Sequence, residues 1–299
     1  MIKELSLAIM HTTTIKEALE QGTHTLAHMA TKSARRDAQV LLNHVLGVER
    51  SVLYAYPEQK LSVEQERNFS LLVERRAQGE PVAYLVGHKE FYGRDFIVDQ
   101  RVLIPRPETE LLVEAALNHI RHQVAAGQMP VVADVGTGSG AIAITLAEEE
   151  RCLPYLYACD ISSDALAVAY LNAQCHAVEQ RIRLLQGDLL TPLPEAVDVL
   201  TANLPYVGTD EISMLALDVY HYEPHLALFS GPQGLDIVRR FCQEAKQSGK
   251  LKTGAVILLE LGYQQQEPLS QQVQELWPQS TITTIKDYAG WDRVMQVVI

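Results

Sequence analysis

A mostly parallel α/β sheet, preceded by a bundle of helices, is the fold class that this sequence predicts. Three observations carry it. From Val131 onward, short apolar runs alternate with segments of helical spacing, the pattern of strands joined by helices that cover both faces. Before Gly79-Glu80-Pro81 the chain shows helical periodicity alone. Between the two lies a stretch that alternates apolar and polar residues around glycines.

The helical part comes first. Thr14-x-x-Glu17 has the form of a capping box and opens a helix through about Ala30. Asp37 to Leu46 places Val40, Leu41, Leu42, Val45 and Leu46 at helical spacing, with Gly47 as its stop. Ser62-x-x-Gln65 opens a third helix, with Phe69, Leu72 and Val73 on its apolar side. His24, His28 and His44 read as surface or satisfied helical residues, since no partner spacing supports a metal. Residues 1–80 are therefore expected to form a small bundle that binds a partner. Val82 to Leu103 reads as a β-hairpin, giving a linker over 81–105 and a sheet domain over 106–299. In Ile104-Pro105-Arg106-Pro107-Glu108-Thr109-Glu110 the prolines hold the backbone extended before a helix whose first turn takes the acids. Arg106, stiffly held between prolines, is a candidate substrate contact.

The strands of the sheet are expected at Val131–Val135, Tyr155–Cys159, Ile182–Gln186, Val197–Ala202 and Ala255–Leu261. Helices fit Ala141–Glu149, Ser163–Ala177, Leu235–Ser248 and a segment around Glu267–Leu276. Thr281–Lys286 and Arg293–Val298 close the sheet, joined tightly enough to make the last strand antiparallel.

Composition narrows the function. The 299 residues are 47% apolar and 21% charged, as in ordinary soluble globular proteins. The net charge of -12 lies entirely in residues 81–299, because residues 1–80 carry ten basic and ten acidic side chains. An acidic sheet domain is a poor ligand for a phosphate backbone, though it tolerates a basic protein partner. Cys152, Cys159, Cys175 and Cys242 form no C-x-x-C pair and read as reduced thiols, with no metal site. Met1-Ile2-Lys3-Glu4 lacks signal-peptide character, and no apolar run approaches the ~18 residues that span a bilayer. A cytoplasmic protein is expected.

Asp134-Val135-Gly136-Thr137-Gly138-Ser139-Gly140 follows the first strand and opens a helix. Its glycines allow a sharp turn and close approach of a ligand to free backbone N–H groups. Asp160 ends the second strand, where an acid accepts hydrogen bonds from ribose hydroxyls. Asp188, after Gly187, could accept from an exocyclic adenine amine. These residues imply a nucleoside, but Gly136-x-Gly138-x-x-Ala141 also fits the dinucleotide pattern. The residues at the end of the fourth strand decide the cofactor.

There stands Asn203-Leu204-Pro205-Tyr206. A planar, uncharged nitrogen is a poor nucleophile, so a site that alkylates it must orient its lone pair. Asn203 offers a side-chain oxygen to one N–H of such an acceptor, and the Leu204 carbonyl can take the other. Pro205 restricts the residue before it and so aims that carbonyl. Tyr206 can stack on the acceptor and exclude water. The stretch therefore reads as a site for methylating an amide.

With these motifs the chain resembles the HemK/PrmC family of protein-glutamine methyltransferases. The resemblance is carried by Asp37-Ala38-x-x-Leu41-Leu42, Gly79-Glu80-Pro81-x-x-Tyr84-Leu85-x-Gly87, Phe91-Tyr92-Gly93 and the Pro-Arg-Pro-Glu-Thr-Glu segment. It continues through the glycine loop, Tyr222-Glu223-Pro224, Ala227-Leu228, Gly234-Leu235 and Asp287-x-x-Gly290-x-Asp292-Arg293. It implies a class I, Rossmann-like methyltransferase sheet that uses S-adenosyl-L-methionine (AdoMet). The implied substrate is the glutamine of the Gly-Gly-Gln motif in class I peptide-chain release factors, with the bundle recognising the release factor. By position it implies AdoMet contacts at Gly136, Thr137, Gly138, Ser139, Gly140, Asp160 and Asn203, and Asp188 and Leu189 are expected beside the adenine. The acceptor glutamine would meet Asn203, Leu204, Pro205 and Tyr206. Leu204 replaces the family's usual proline, and Leu189 stands where relatives often carry an aromatic. An amino-methyltransferase acting on adenine or cytosine of nucleic acid is the second reading, because it uses a similar site. A non-catalytic scaffold and a dehydrogenase are weaker, since the reacting residues are intact and none suits hydride transfer.

Overall fold

The computed structural model describes residues 13–27 and 33–299. His28, Met1 to Glu4 and the expected end of the first helix lie outside them. The chain divides into two compact units between Val86 and Gly87.

In the first unit α1 (Ile15–Ala27), α2 (Ala34–Leu46), α3 (Arg50–Ala55), α4 (Val63–Ala77) and α5 (Val82–Val86) bury Leu41, Leu42, Phe69 and Val73 in one apolar core. Both capping boxes form. The Glu17 N–H donates to Thr14 Oγ1 while the Thr14 N–H donates to Glu17 Oε2, and Ser62 and Gln65 reciprocate in the same way. Gly47 ends α2 in the left-handed conformation, as expected. The expectation of a hairpin from Val82 fails at its start, because Val82–Val86 is helical. Pro81 suits the position that opens a helix, and Leu85 and Val86 are buried in the bundle core rather than alternating across a sheet.

The hairpin itself opens the second unit as β1 (His88–Phe91) and β2 (Arg94–Ile97). Its two-residue turn, Tyr92-Gly93, has both residues at positive φ, as the twist of a tight hairpin demands. A single 3₁₀ turn, Pro107–Thr109, then leads into α6 (Glu110–Ala125). Glu110 accepts the Tyr92 N–H and so ties that helix to the hairpin turn.

The sheet comprises β3 (Val132–Val135), β4 (Leu156–Asp160), β5 (Ile182–Gln186), β6 (Val197–Ala202), β7 (Leu251–Glu260), β8 (Thr281–Lys286) and β9 (Asp292–Val298). Its order is β5-β4-β3-β6-β7-β9-β8, parallel from β5 to β7 and antiparallel at β9, as expected. Helices α7 (Ala141–Glu149), α8 (Ser163–Cys175), α9 (Leu217–Tyr222), α10 (Asp236–Gln247) and α11 (Gln266–Leu276) complete the unit. Along β7, Val256 and Leu258 join one apolar cluster with α6 and α7, whereas Ile257 and Leu259 join another with α10 and α11. This two-residue alternation explains why the strands read as continuous apolar runs: both faces are covered. The order reverses between β3 and β6, and the crevice beyond the carboxyl ends of these strands is where such sheets bind ligands.

Candidate functional site

The switch point gathers the expected residues into one cleft. Gly136 to Ser139 after β3, Asp160 at the end of β4, Gly187 to Leu189 after β5, and Asn203 to Pro205 after β6 all line it. Arg106 and Thr109 form its rim from the proline-rich segment.

The glycine loop differs from the expectation of free N–H donors. The N–H groups of Gly136 and Thr137 both donate to the Cys159 carbonyl at 2.9 Å, and that of Gly138 donates to Asp160 Oδ2 at 2.9 Å. The loop folds back on the end of β4, which engages three of its donors, so those three do not form an anion cradle of the kind that holds a pyrophosphate. Gly138 stands at φ +54°, and nothing lies within 4 Å of where a Cβ would be. That hollow gives a nucleoside room beside the loop. Beneath it, Asp134 is fully buried and burial pushes its carboxyl up to about 6, against the nearby Thr137 hydroxyl and the hydrogen bond from Thr201 Oγ1, which favour its charge. Asp160 is also raised by burial, while the Ser162 and Gly138 N–H groups hold its two oxygens in place. Asp188 keeps one oxygen on Arg240 at 2.7 Å, a partner that spacing did not reveal. Leu189 takes a left-handed φ of +46° and turns into the core beside the cleft.

After β6, Asn203 Nδ2 donates to Thr109 Oγ1 at 3.2 Å. Among the described residues nothing donates to Asn203 Oδ1 or to the Leu204 carbonyl. The Leu204 side chain is buried in the core, leaving its carbonyl as the polar group it offers. Two expected residues, Gly140 and Tyr206, do not line the cleft. The Tyr206 hydroxyl donates to Glu260 Oε1 at 3.2 Å, and burial followed by the Glu260 charge raises its pKa. Gln265 Nε2 donates to the Tyr206 carbonyl at 2.8 Å, and a Cβ on Gly234 would stand 2.0 Å from the same oxygen. Only glycine permits that close approach. The ring is therefore a fixed wall behind the loop, not a free platform.

Arg106 Nη2 donates to Glu223 Oε1 at 2.5 Å, and Glu223 Oε2 accepts the Ile104 N–H at 3.1 Å. One buried carboxylate thus pins the whole proline-rich segment. Glu223→Ala should lower stability by about 2 kcal/mol, at the low end for a buried ion pair because Arg106 stays partly exposed. Urea denaturation measures it, and an unchanged midpoint would contradict the role.

Comparison with known proteins places this geometry. Residues 17–87 match the PrmC N-terminal domain and residues 108–219 the methyltransferase small domain. The chain is 37% identical to the release factor glutamine methyltransferase of Koribacter versatilis over 284 residues, 94% of this chain and 97% of that one. It belongs to the release factor glutamine methyltransferase family. The relative from Moorella thermoacetica is 39% identical, covering 94% of this chain and 96% of that one. Among solved structures, the catalytic domain of hMettl16 with the MAT2A 3'UTR hairpin 1 aligns with a TM-score of 0.55 at 15% identity. That alignment covers 75% of this chain and 79% of the other, and it shows the fold alone. The family's methyltransferase sheet is thus the one observed, with its cleft at the switch point.

Within this family member two partners of the loop escaped sequence reasoning, Glu260 and Gln265. Glu260 is 4% exposed, and burial pushes its carboxyl up to about 7. A carboxyl whose folded pKa is raised contributes stability fully present below its unfolded value of 4.5, lost as pH rises through about 7. Asp134 acts the same way between 3.8 and about 6. The protein should therefore be more stable near pH 5 than near pH 8. Glu260→Gln should regain up to about 3 kcal/mol near pH 8 and flatten the dependence, as urea midpoints across pH would show.

Proposed function

We propose that this chain transfers the methyl group of AdoMet to the side-chain amide nitrogen of the glutamine in the Gly-Gly-Gln motif of class I peptide-chain release factors. The observation that carries the reading is the pair of unengaged acceptors, Asn203 Oδ1 and the Leu204 carbonyl, on one short loop at the switch point. A primary amide has two N–H groups, and two fixed acceptors orient both, so that its lone pair faces the methyl donor. Pro205 stiffens the loop, and Tyr206 supports it from behind. Because the nitrogen loses its resonance as the new bond forms, its protons become acidic only then; the two acceptors stabilise the developing positive charge, and one proton leaves to solvent to give the neutral N-methyl amide.

The cleft suits AdoMet. The N–H groups of Gly136, Thr137 and Gly138 are engaged by the end of β4, which fits a ligand without phosphates, and the hollow at Gly138 leaves room for it. Asp160 would hold the ribose hydroxyls, Asp188 the adenine amine and Leu189 the apolar face of the base. Bound there, AdoMet supplies an electrophilic methyl on a sulfonium that leaves as a neutral thioether. The bundle would contribute recognition of the release factor, a cytoplasmic protein. Among the described residues no helix is long and apolar enough to cross a membrane.

Purified chain with labelled AdoMet should label a release factor and leave DNA and RNA unlabelled. Label in nucleic acid alone would instead establish an adenine or cytosine amino-methyltransferase.

A further inference from the structure

We infer that Glu260 is a positioning residue for the acceptor amide, acting through Thr109 and Tyr206 on the loop that carries Asn203. This rests on the methyl-transfer reading above. Glu260 ends β7, and Leu259 pairs with Ala202, the last residue of β6, so Glu260 stands level with Asn203 just past the end of that strand. Its Oε1 accepts the Tyr206 hydroxyl at 3.2 Å, while its buried Oε2 completes no hydrogen bond. Thr109, equally buried, takes the Asn203 Nδ2 donor at 3.2 Å and its hydroxyl favours the charged form of Glu260. The other groups acting on Glu260 are Arg293 from β9, which favours its charge, and Glu108 from the 3₁₀ turn, which opposes it.

Hydrogen-bond polarity follows from the single proton of a hydroxyl. When the Thr109 proton turns to a Glu260 carboxylate, its lone pairs must accept from an N–H. Asn203 then presents Nδ2 to Thr109 and Oδ1 to the cleft, the end that accepts from the substrate amide. When Glu260 is protonated, its O–H can donate to Thr109, whose own proton turns to Asn203. That favours the flipped amide, with an NH₂ group facing the N–H of the substrate, donor against donor. A buried acid that destabilises the fold at neutral pH is retained here at the second layer of the reacting loop, the pattern of a stability–activity trade-off.

Steady-state methyl transfer to a release factor, at saturating AdoMet and from about pH 5.5 to 8.5, tests this. The wild type should show a kcat that rises through neutral pH. E260Q should lower kcat about tenfold near pH 8 and lose that rise, since its amide mimics the protonated acid. Its AdoMet affinity should be unchanged and its thermal midpoint no lower. T109V should lose as much as E260Q, and T109S, which restores the hydroxyl, should recover most of it. Wild-type kcat and pH profile in E260Q would overturn the inference, as would a loss matched by a lower midpoint or a T109S no better than T109V. A wild-type chain that transfers no methyl to release factor would remove the functional reading and this inference together.

Discussion

Asn203→Ala should lower kcat for methyl transfer by at least about a hundredfold while AdoMet still binds; a loss of this size is typical when one preorganised hydrogen-bonding group is removed from a transition state. The acceptor amide keeps the Leu204 carbonyl but loses its second anchor, so its lone pair swings away from the methyl donor. Truncation also frees Thr109 Oγ1, but the half-buried site lets water replace the missing donor, so the fold should hold. Single-turnover transfer and calorimetric AdoMet binding separate the two effects. A variant with near wild-type turnover, or one that loses AdoMet binding as completely as transfer, would contradict the role of Asn203.

Asp160→Ala should weaken AdoMet binding about a hundredfold, the worth of two charge-assisted hydrogen bonds. Two losses combine. The ribose hydroxyls lose their acceptor, and the Gly138 and Ser162 N–H groups lose the carboxylate that now shapes the glycine loop. At saturating AdoMet, kcat should recover much more than it does for Asn203→Ala, because the acceptor loop is untouched. Calorimetry measures the first effect and steady-state kinetics the second. Unchanged affinity, or a kcat that saturating AdoMet cannot restore, would move Asp160 from cofactor binding to structure or chemistry.

Much of the fold could be read because its signals are local. Strands β3, β4, β6 and the second half of β7 declare themselves through apolar runs that two covered faces require, and the capping pairs Thr14–Glu17 and Ser62–Gln65 lie three residues apart. Val82–Val86 misled because five residues are too few to separate helical spacing from alternation, and burial in the bundle core decided the matter. At the site, the glycine loop, Asp160 and the Asn203 loop were legible as strand-end motifs. Their supports were not. Arg106 meets Glu223 across 117 residues, Tyr206 meets Glu260 across 54, and Asp188 meets Arg240 across 52. No spacing rule links such pairs, since only the sheet order brings them together. The same cause explains Tyr206: from its position in the loop its ring reads as a substrate contact, and only the fold places its hydroxyl on Glu260 of β7. The Leu204 side chain is buried in the core, and among the described residues its carbonyl accepts no hydrogen bond.

That one loop orients a glutamine amide for methylation is tested most directly by mass spectrometry of a release factor incubated with the chain and AdoMet. A single added methyl on the side-chain nitrogen of the Gly-Gly-Gln glutamine, absent with Asn203→Ala, is the predicted result. An unmodified glutamine at saturating enzyme, or a methyl carried on another residue, would contradict it.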